Sequence, residues 1–184
     1  MMRAMALSFP DDLGAEDCDR QYMLGDSLLV APVMREDNIG EYYLPEGTWT
    51  HLLTGKEAEK TGWRREEYDF FSLPLFVKEN TLLPIGKCDC RADYAHEENA
   101  ILQLYALNDR AECTVRNNKG EQAFTVCAVK ENDTVTIQVQ GQARGLRIQL
   151  VNVHAVRNLQ DAGAQANERG LILTPEGGRV TYQI

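Results

Sequence analysis

The sequence predicts a mainly β protein, with two antiparallel β-sandwich-like regions preceded by a short strand and a short helix. Three observations carry this. First, strict alternation runs through "TVTIQVQ", "LRIQL" and "RVTYQI", where Val135, Ile137 and Val139, then Leu146, Ile148 and Leu150, then Val180, Tyr182 and Ile184 share one face. A period of two gives one wet and one buried face. Second, turn residues punctuate the apolar runs at short intervals, the pattern of a sandwich. Third, only the first 25 residues have helical character.

The chain opens "MMRAMALSFPDD". The apolar run Ala4–Phe9 is too short for a secretory h-region and is followed by Pro10, Asp11 and Asp12 rather than a cleavage site. It reads as a buried strand running into a loop. "AEDCDRQYMLG" then has early carboxylates and a terminal Gly25, sensible boundaries for a helix.

From Asp26 to Gly86 the pattern is β. "DSLLVAPV" is a nearly continuous apolar run. "EYYLPEGTWTHLLTGK" places a turn at Pro45-Glu46-Gly47 between two short strands and another at Thr54-Gly55. "LPLFVKENTLLPIG" reads as a hairpin about Lys78-Glu79-Asn80. Residues 87–98, polar and aperiodic, are expected to link to a second β region over 99–184. That region begins with "AILQLYAL" and turns at Asn118-Lys119-Gly120. With its own turns and a common buried face, it is expected to fold with little help from the first segment.

Composition narrows the partners. A length of 184 residues suits one domain or two small ones. The net charge of −9 argues against nucleic acid and anionic membranes, which need a basic footprint. No apolar stretch has the length of a membrane helix. The odd number of cysteines, Cys18, Cys88, Cys90, Cys113 and Cys127, with no export signal, suggests free thiols in a reducing cytoplasm. "CDC" at 88–90 with His96 nearby lacks the spacing and the four ligands of a zinc site. Asn132-Asp133-Thr134 fits a glycosylation sequon but reads better as a hairpin turn.

The residues nominate no catalytic machinery. No Gly-rich phosphate loop, G-x-S-x-G or H-E-x-x-H occurs. His51, His96 and His154 sit in separate segments and read as surface or packed residues. Asp11, Asp12, Asp17 and Asp19 cluster near the first strand, where loop solvation and helix capping account for them better than acid/base chemistry. Trp49 and Trp63 raise a carbohydrate-binding module as an alternative, although buried sandwich tryptophans are commoner.

The order of "FPDD…DRQYMLGDSLLVAPV", "YYLPEGTWTHLLTGK" and "LPLFVKENTLLPIG" resembles the C-terminal region of glycoside hydrolase family 31. With "MMRAM…FPDD" and the tail "NLQDAGAQANERGLILTPEG", the likeness is greatest to its bacterial α-xylosidases, α-glucosidase relatives, and runs from Met1 to Ile184. The resemblance implies that residues 1–25 are the last strand and short helix of a truncated (β/α)8 barrel. Residues 26–86 would be the proximal β-domain and 99–184 the distal one. It implies retaining hydrolysis of terminal α-linked xylose or glucose by the full-length enzyme, through two aspartates that map to no residue here. The chain is therefore expected to be inactive alone and to act as a structural buttress. No substrate-binding, cofactor-binding or metal-binding residue is assigned and no cofactor is called for. The expected partner is the catalytic barrel of the parent enzyme, with a homo-oligomer as a further possibility. Without barrel neighbours, the first strand is expected to have open edges.

Overall fold

A computed structural model describes residues 1–86 and 93–184. Cys88 and Cys90, and the first half of the expected linker, residues 87–92, lie outside the described residues. These divide into two compact units, Met1–Glu79 and Asn80–Ile184, and both are built mainly of strands.

The first unit contains β1 (Met2–Ala4), α1 (Met5–Ser8), α2 (Leu13–Glu16), β2 (Tyr22–Leu24), β3 (Leu28–Val30), β4 (Ile39–Leu44), β5 (Trp49–His51), β6 (Gly62–Glu67) and β7 (Leu75–Lys78). One sheet has the order β1-β2-β3-β7-β5, and β4 pairs with β6 in a second. Met5, Met23, Leu29, Tyr42, Leu44, Trp49 and Phe76 form its core.

Three sequence expectations need correction here. The expected buried strand over Ala4–Phe9 is a three-residue strand followed by a helical turn, α1. Ala4, Met5, Ala6 and Leu7 are strong helix formers with no β-branched residue among them, which favours the turn. Only Met5 of α1 is fully buried, while Leu7 is 75% exposed. Nor is the first strand an orphan, because β1 pairs antiparallel with β2, Met2 opposite Leu24 and Ala4 opposite Tyr22. Its other edge lies at the end of the sheet.

The expected helix over 15–25 shrinks to α2, and Tyr22–Leu24 is extended. Gln21 explains the change. Its buried side chain donates to the Tyr43 carbonyl at 2.8 Å and accepts from the Tyr43 amide at 2.6 Å, as a neighbouring strand would. The turn at Pro45-Glu46-Gly47 lies between two short strands as expected, β4 and β5. β4 pairs with β6 and β5 with β7, so this turn carries the chain from one sheet to the other. The Trp49 indole fixes the corner by donating to the Pro45 carbonyl at 2.8 Å.

The second unit contains β8 (Thr81–Ile85), β9 (Ile101–Tyr105), β10 (Arg110–Arg116), β11 (Gln122–Glu131), β12 (Thr134–Gly141), β13 (Arg147–Val151), β14 (Arg157–Gln160), β15 (Ala162–Asn167), β16 (Gly170–Pro175) and β17 (Arg179–Gln183). The expected hairpin about Lys78-Glu79-Asn80 is absent, since β7 pairs with β3 and β5 while β8 pairs with β9. Asn80 takes a left-handed conformation, φ 55°, and its Oδ1 accepts from the amides of Asn108 and Asp109. Those bonds turn the chain toward β9 instead of back on itself.

Two five-stranded sheets, β10-β11-β12-β17-β14 and β15-β16-β13-β9-β8, enclose one core. Leu102, Leu104, Ile148, Leu150 and Leu173 meet Phe124, Val126, Val135, Ile137, Val180 and Tyr182 there. One pair departs from the antiparallel expectation. β13 runs parallel to β9, with Ile148 opposite Leu102. Asn132, at φ 54°, occupies the turn between β11 and β12. Among the described residues no helix is long and apolar enough to cross a membrane.

Candidate functional site

The most strongly perturbed titratable group of the described residues, Tyr42, lies in the first unit beside a cavity of about 490 Å³ between β4, β5 and β6. Alternation on β6 builds one wall. Arg64 and Glu66 face the cavity, and Tyr68 follows just beyond the strand. Tyr42 on β4 and His51 on β5 supply the floor with Phe76 of β7.

Glu66 is the hub. It accepts from the Tyr42 hydroxyl at 2.7 Å and the Tyr68 hydroxyl at 3.0 Å, and it pairs with Arg64. The two hydroxyls are also bonded to each other at 3.1 Å. Burial pushes the Glu66 carboxyl up, but these three donors outweigh it and hold the group below its ordinary range. Burial, with the carboxylate as acceptor, raises Tyr42 far above an ordinary phenol. Tyr68 is pushed up to about 12, chiefly by burial. His51 stacks on Tyr68, and its Nε2 lies 3.0 Å from the Leu73 carbonyl. Burial keeps its imidazole below the usual histidine range. Perturbed groups in a cavity mark a candidate site. Here burial raises the two phenols and lowers the imidazole, while the Glu66 carboxylate is satisfied by three donors, the arrangement of a structural polar cluster.

The acidic cluster serves a different purpose. Asp12 caps α2, accepting from the Gly14 amide at 2.9 Å, and the same Oδ1 accepts from the Tyr43 hydroxyl at 2.8 Å. That bond to Asp12 raises Tyr43 above its ordinary value. Asp11, Asp17 and Asp19 are exposed. Burial first, then Asp12, Asp17 and Asp19, raises the Cys18 thiol, so this cysteine is not an activated nucleophile.

The remaining nominated residues separate. Trp49 is 1% exposed and belongs to the core, whereas Trp63 is 61% exposed. His51 is buried in the first unit; His96, exposed, stacks on Tyr94 in the second, and His154 is exposed. Among the described residues no three His, Cys, Asp or Glu groups converge to hold a metal ion. Sequence reasoning missed the Tyr42–Glu66–Tyr68–Arg64 cluster. The available signal was the alternation in "GWRREEY", which puts Arg64, Glu66 and Tyr68 on one side of a strand.

Comparison with known proteins places this geometry in a family. Residues 1–83 match the glycosyl hydrolase family 31 C-terminal domain, and residues 93–184 match the alpha-xylosidase YicI C-terminal domain. Alpha-xylosidase XylQ of Lactiplantibacillus pentosus is 31% identical over 145 residues, covering 77% of this chain and 19% of the relative. An alpha-xylosidase of Emericella nidulans is 37% identical over 94 residues, 47% of this chain and 12% of the relative. Among solved structures, the cycloalternan-forming enzyme from Listeria monocytogenes matches all of this chain and 20% of its own, with a TM-score of 0.82 at 22% identity. That likeness concerns the fold. The GH31 alpha-xylosidase from Xanthomonas citri matches all of this chain and 21% of its own, with a TM-score of 0.69 at 25% identity. The chain thus spans about a fifth or less of the length of these relatives. With one family profile covering residues 1–83 and a second covering residues 93–184, the chain belongs to glycoside hydrolase family 31, as the C-terminal region of its α-xylosidase-like members.

Proposed function

We propose that this chain is the non-catalytic C-terminal portion of a retaining α-glycosidase that removes terminal α-linked xylose or glucose, and that its β units buttress the catalytic barrel of the parent protein. On this reading residues 1–25 belong to the end of that barrel. The observation that carries it is how the two carboxylates bonded to tyrosine hydroxyls are used. Asp12 is committed to a helix cap and to Tyr43, and Glu66 to Tyr42, Tyr68 and Arg64. Retaining hydrolysis needs two carboxyl groups about 5–5.5 Å apart, one free to attack and one to protonate the leaving oxygen. The exposed Met1, Met2 and Leu24 around the β1–β2 pair, and the free edge of β1, supply apolar surface and backbone groups for a barrel to cover.

Incubation of the chain with aryl α-xyloside and aryl α-glucoside tests the proposal. No turnover is expected. Turnover lost on Asp11→Asn or Asp12→Asn would overturn it.

A further inference from the structure

Among the described residues, the two sheets of the second unit end on four edge strands, β10, β14, β15 and β8. An edge strand offers unpaired N–H and C=O groups to any other strand, and proteins blunt it with charge, proline or irregularity. Three of these edges are blunted. β10 carries exposed Arg110, Glu112 and Arg116, with a register shift between Val115 and Arg116. β8 carries an exposed Pro84. The short β14 has a register shift between Arg157 and Gln160 and a left-handed Asn158, φ 52°. β15 has none of these devices. Its six residues, Ala-Gly-Ala-Gln-Ala-Asn, include no charge and no proline, and they pair with β16 without a break from Ala162–Pro175 to Asn167–Gly170.

The ladder fixes which backbone groups of β15 are open. The Asp161 carbonyl accepts from the Glu176 amide at 2.9 Å. In an antiparallel pair such bonds recur at every second residue. Gly163, Gln165 and Asn167 therefore direct their backbone groups at β16, and Ala162, Ala164 and Ala166 direct theirs outward. The alanine side chains are also distinctive. Ala164 stands opposite Leu173 and Ala166 opposite Leu171, so they share the face that those leucines bury in the core. Both alanines are nonetheless exposed. The core-side face of this sheet thus runs on past its cover at β15.

We propose that β15 pairs antiparallel, about a twofold axis, with β15 of a second copy of this chain. Outward-directed residues must meet outward-directed residues, which restricts the register to steps of two. With the axis at Gln165, Ala164 meets Ala166, and Asp161 of one copy lies near Arg169 of the other. A twofold sets a strand against itself, so a charged edge repels its own copy, whereas this one brings no like charges together. Pairing joins the two sheets into one and sets the exposed alanines side by side. The proposal concerns the second unit alone and does not rest on the buttress role.

Sedimentation velocity of the full chain over a range of concentrations tests it. A six-residue edge is a small interface, so a monomer–dimer equilibrium is expected with a Kd on the order of 10–100 μM. Gln165 is exposed and sits on the axis. Gln165→Lys and Gln165→Glu each set like charges face to face and should each raise the Kd about fivefold. An equimolar mixture of the two variants sets opposite charges together and should restore dimers at the Kd of the parent chain. Thermal melts of the dilute variants that match the dilute parent show that each is folded. The proposal fails if the parent chain stays monomeric up to about 1 mM, if both variants dimerise as it does, or if the mixture gains nothing over either variant alone.

Discussion

Tyr43 and Asp12 meet through a 2.8 Å hydrogen bond on the same carboxylate oxygen that caps α2. One oxygen thus ties a strand of the two-stranded sheet to the turn that follows α1. Asp12→Ala removes both bonds and should cost about 1–2 kcal/mol, within the range of a lost N-cap. Tyr43→Phe removes one and should cost about 1 kcal/mol. Denaturant melts of the two single variants and the double variant should show the double costing less than the sum. Full additivity would mean that the pair does not act together.

Gly170→Ala should be among the most damaging single changes in the second unit. Gly170 has φ 134°, and an added Cβ would lie 2.0 Å from the Leu150 carbonyl oxygen. Backbone cannot swing aside as a side chain can, so overpacking and strain together should cost about 2–4 kcal/mol. Gly177→Ala, where a Cβ meets nothing within 4 Å, provides the comparison and should shift the melt little.

Stability should hold a plateau near neutral pH and fall on both sides. His51 has a lowered pKa, so its contribution is complete above the unfolded value of about 6.5 and is lost as pH falls through the folded value. Glu66 is also lowered, so its contribution is present above about 4.3 and is lost as pH falls further. Tyr68 and Tyr105 are raised to about 12. Their contributions are complete below the unfolded value of about 10 and disappear as pH climbs through the folded value. Thermal melts across this range check the shape. Glu66→Gln should flatten the limb below about pH 4.5 and leave the histidine limb in place.

A fragment beginning at residue 80 should melt cooperatively, and one beginning at residue 97 should be weakened. The second loses β8, which pairs along β9 and places Leu82 in the core. Burial of one leucine accounts for about 1.5–3 kcal/mol, and β9 would become an open edge. Equal melting of the two fragments would show that β8 adds nothing.

The second unit was the more legible in sequence. Val135 and Ile137, Leu146, Ile148 and Leu150, and Val180 and Tyr182 alternate in the sequence and are buried as that alternation requires. Local pattern reports which face of a strand is buried. It does not report the partner strand, which depends on residues far away in the chain. Hence β7 and β8, adjacent in sequence, pair into different sheets, and β13 runs parallel to β9. The first segment was misread because a three-residue strand is too short to display a period, and Gln21 stabilises the extended chain through its side chain. The polar cluster was hidden for a similar reason. Tyr42 and Glu66 come together only through the register of β4 on β6.

The contrast between Trp49 and Trp63 also equips the chain with two optical reporters of opposite character. Trp49, enclosed and hydrogen-bonded to the Pro45 carbonyl, emits from an apolar setting sheltered from collision. Trp63 emits from water, where a dissolved quencher such as acrylamide reaches it. Quenching of the native chain should therefore extinguish the red side of the emission first and leave a blue remainder belonging to Trp49. That remainder shifts to the red only when the corner at Pro45 opens, so one spectrum reads the surface of the first unit and the integrity of its interior separately.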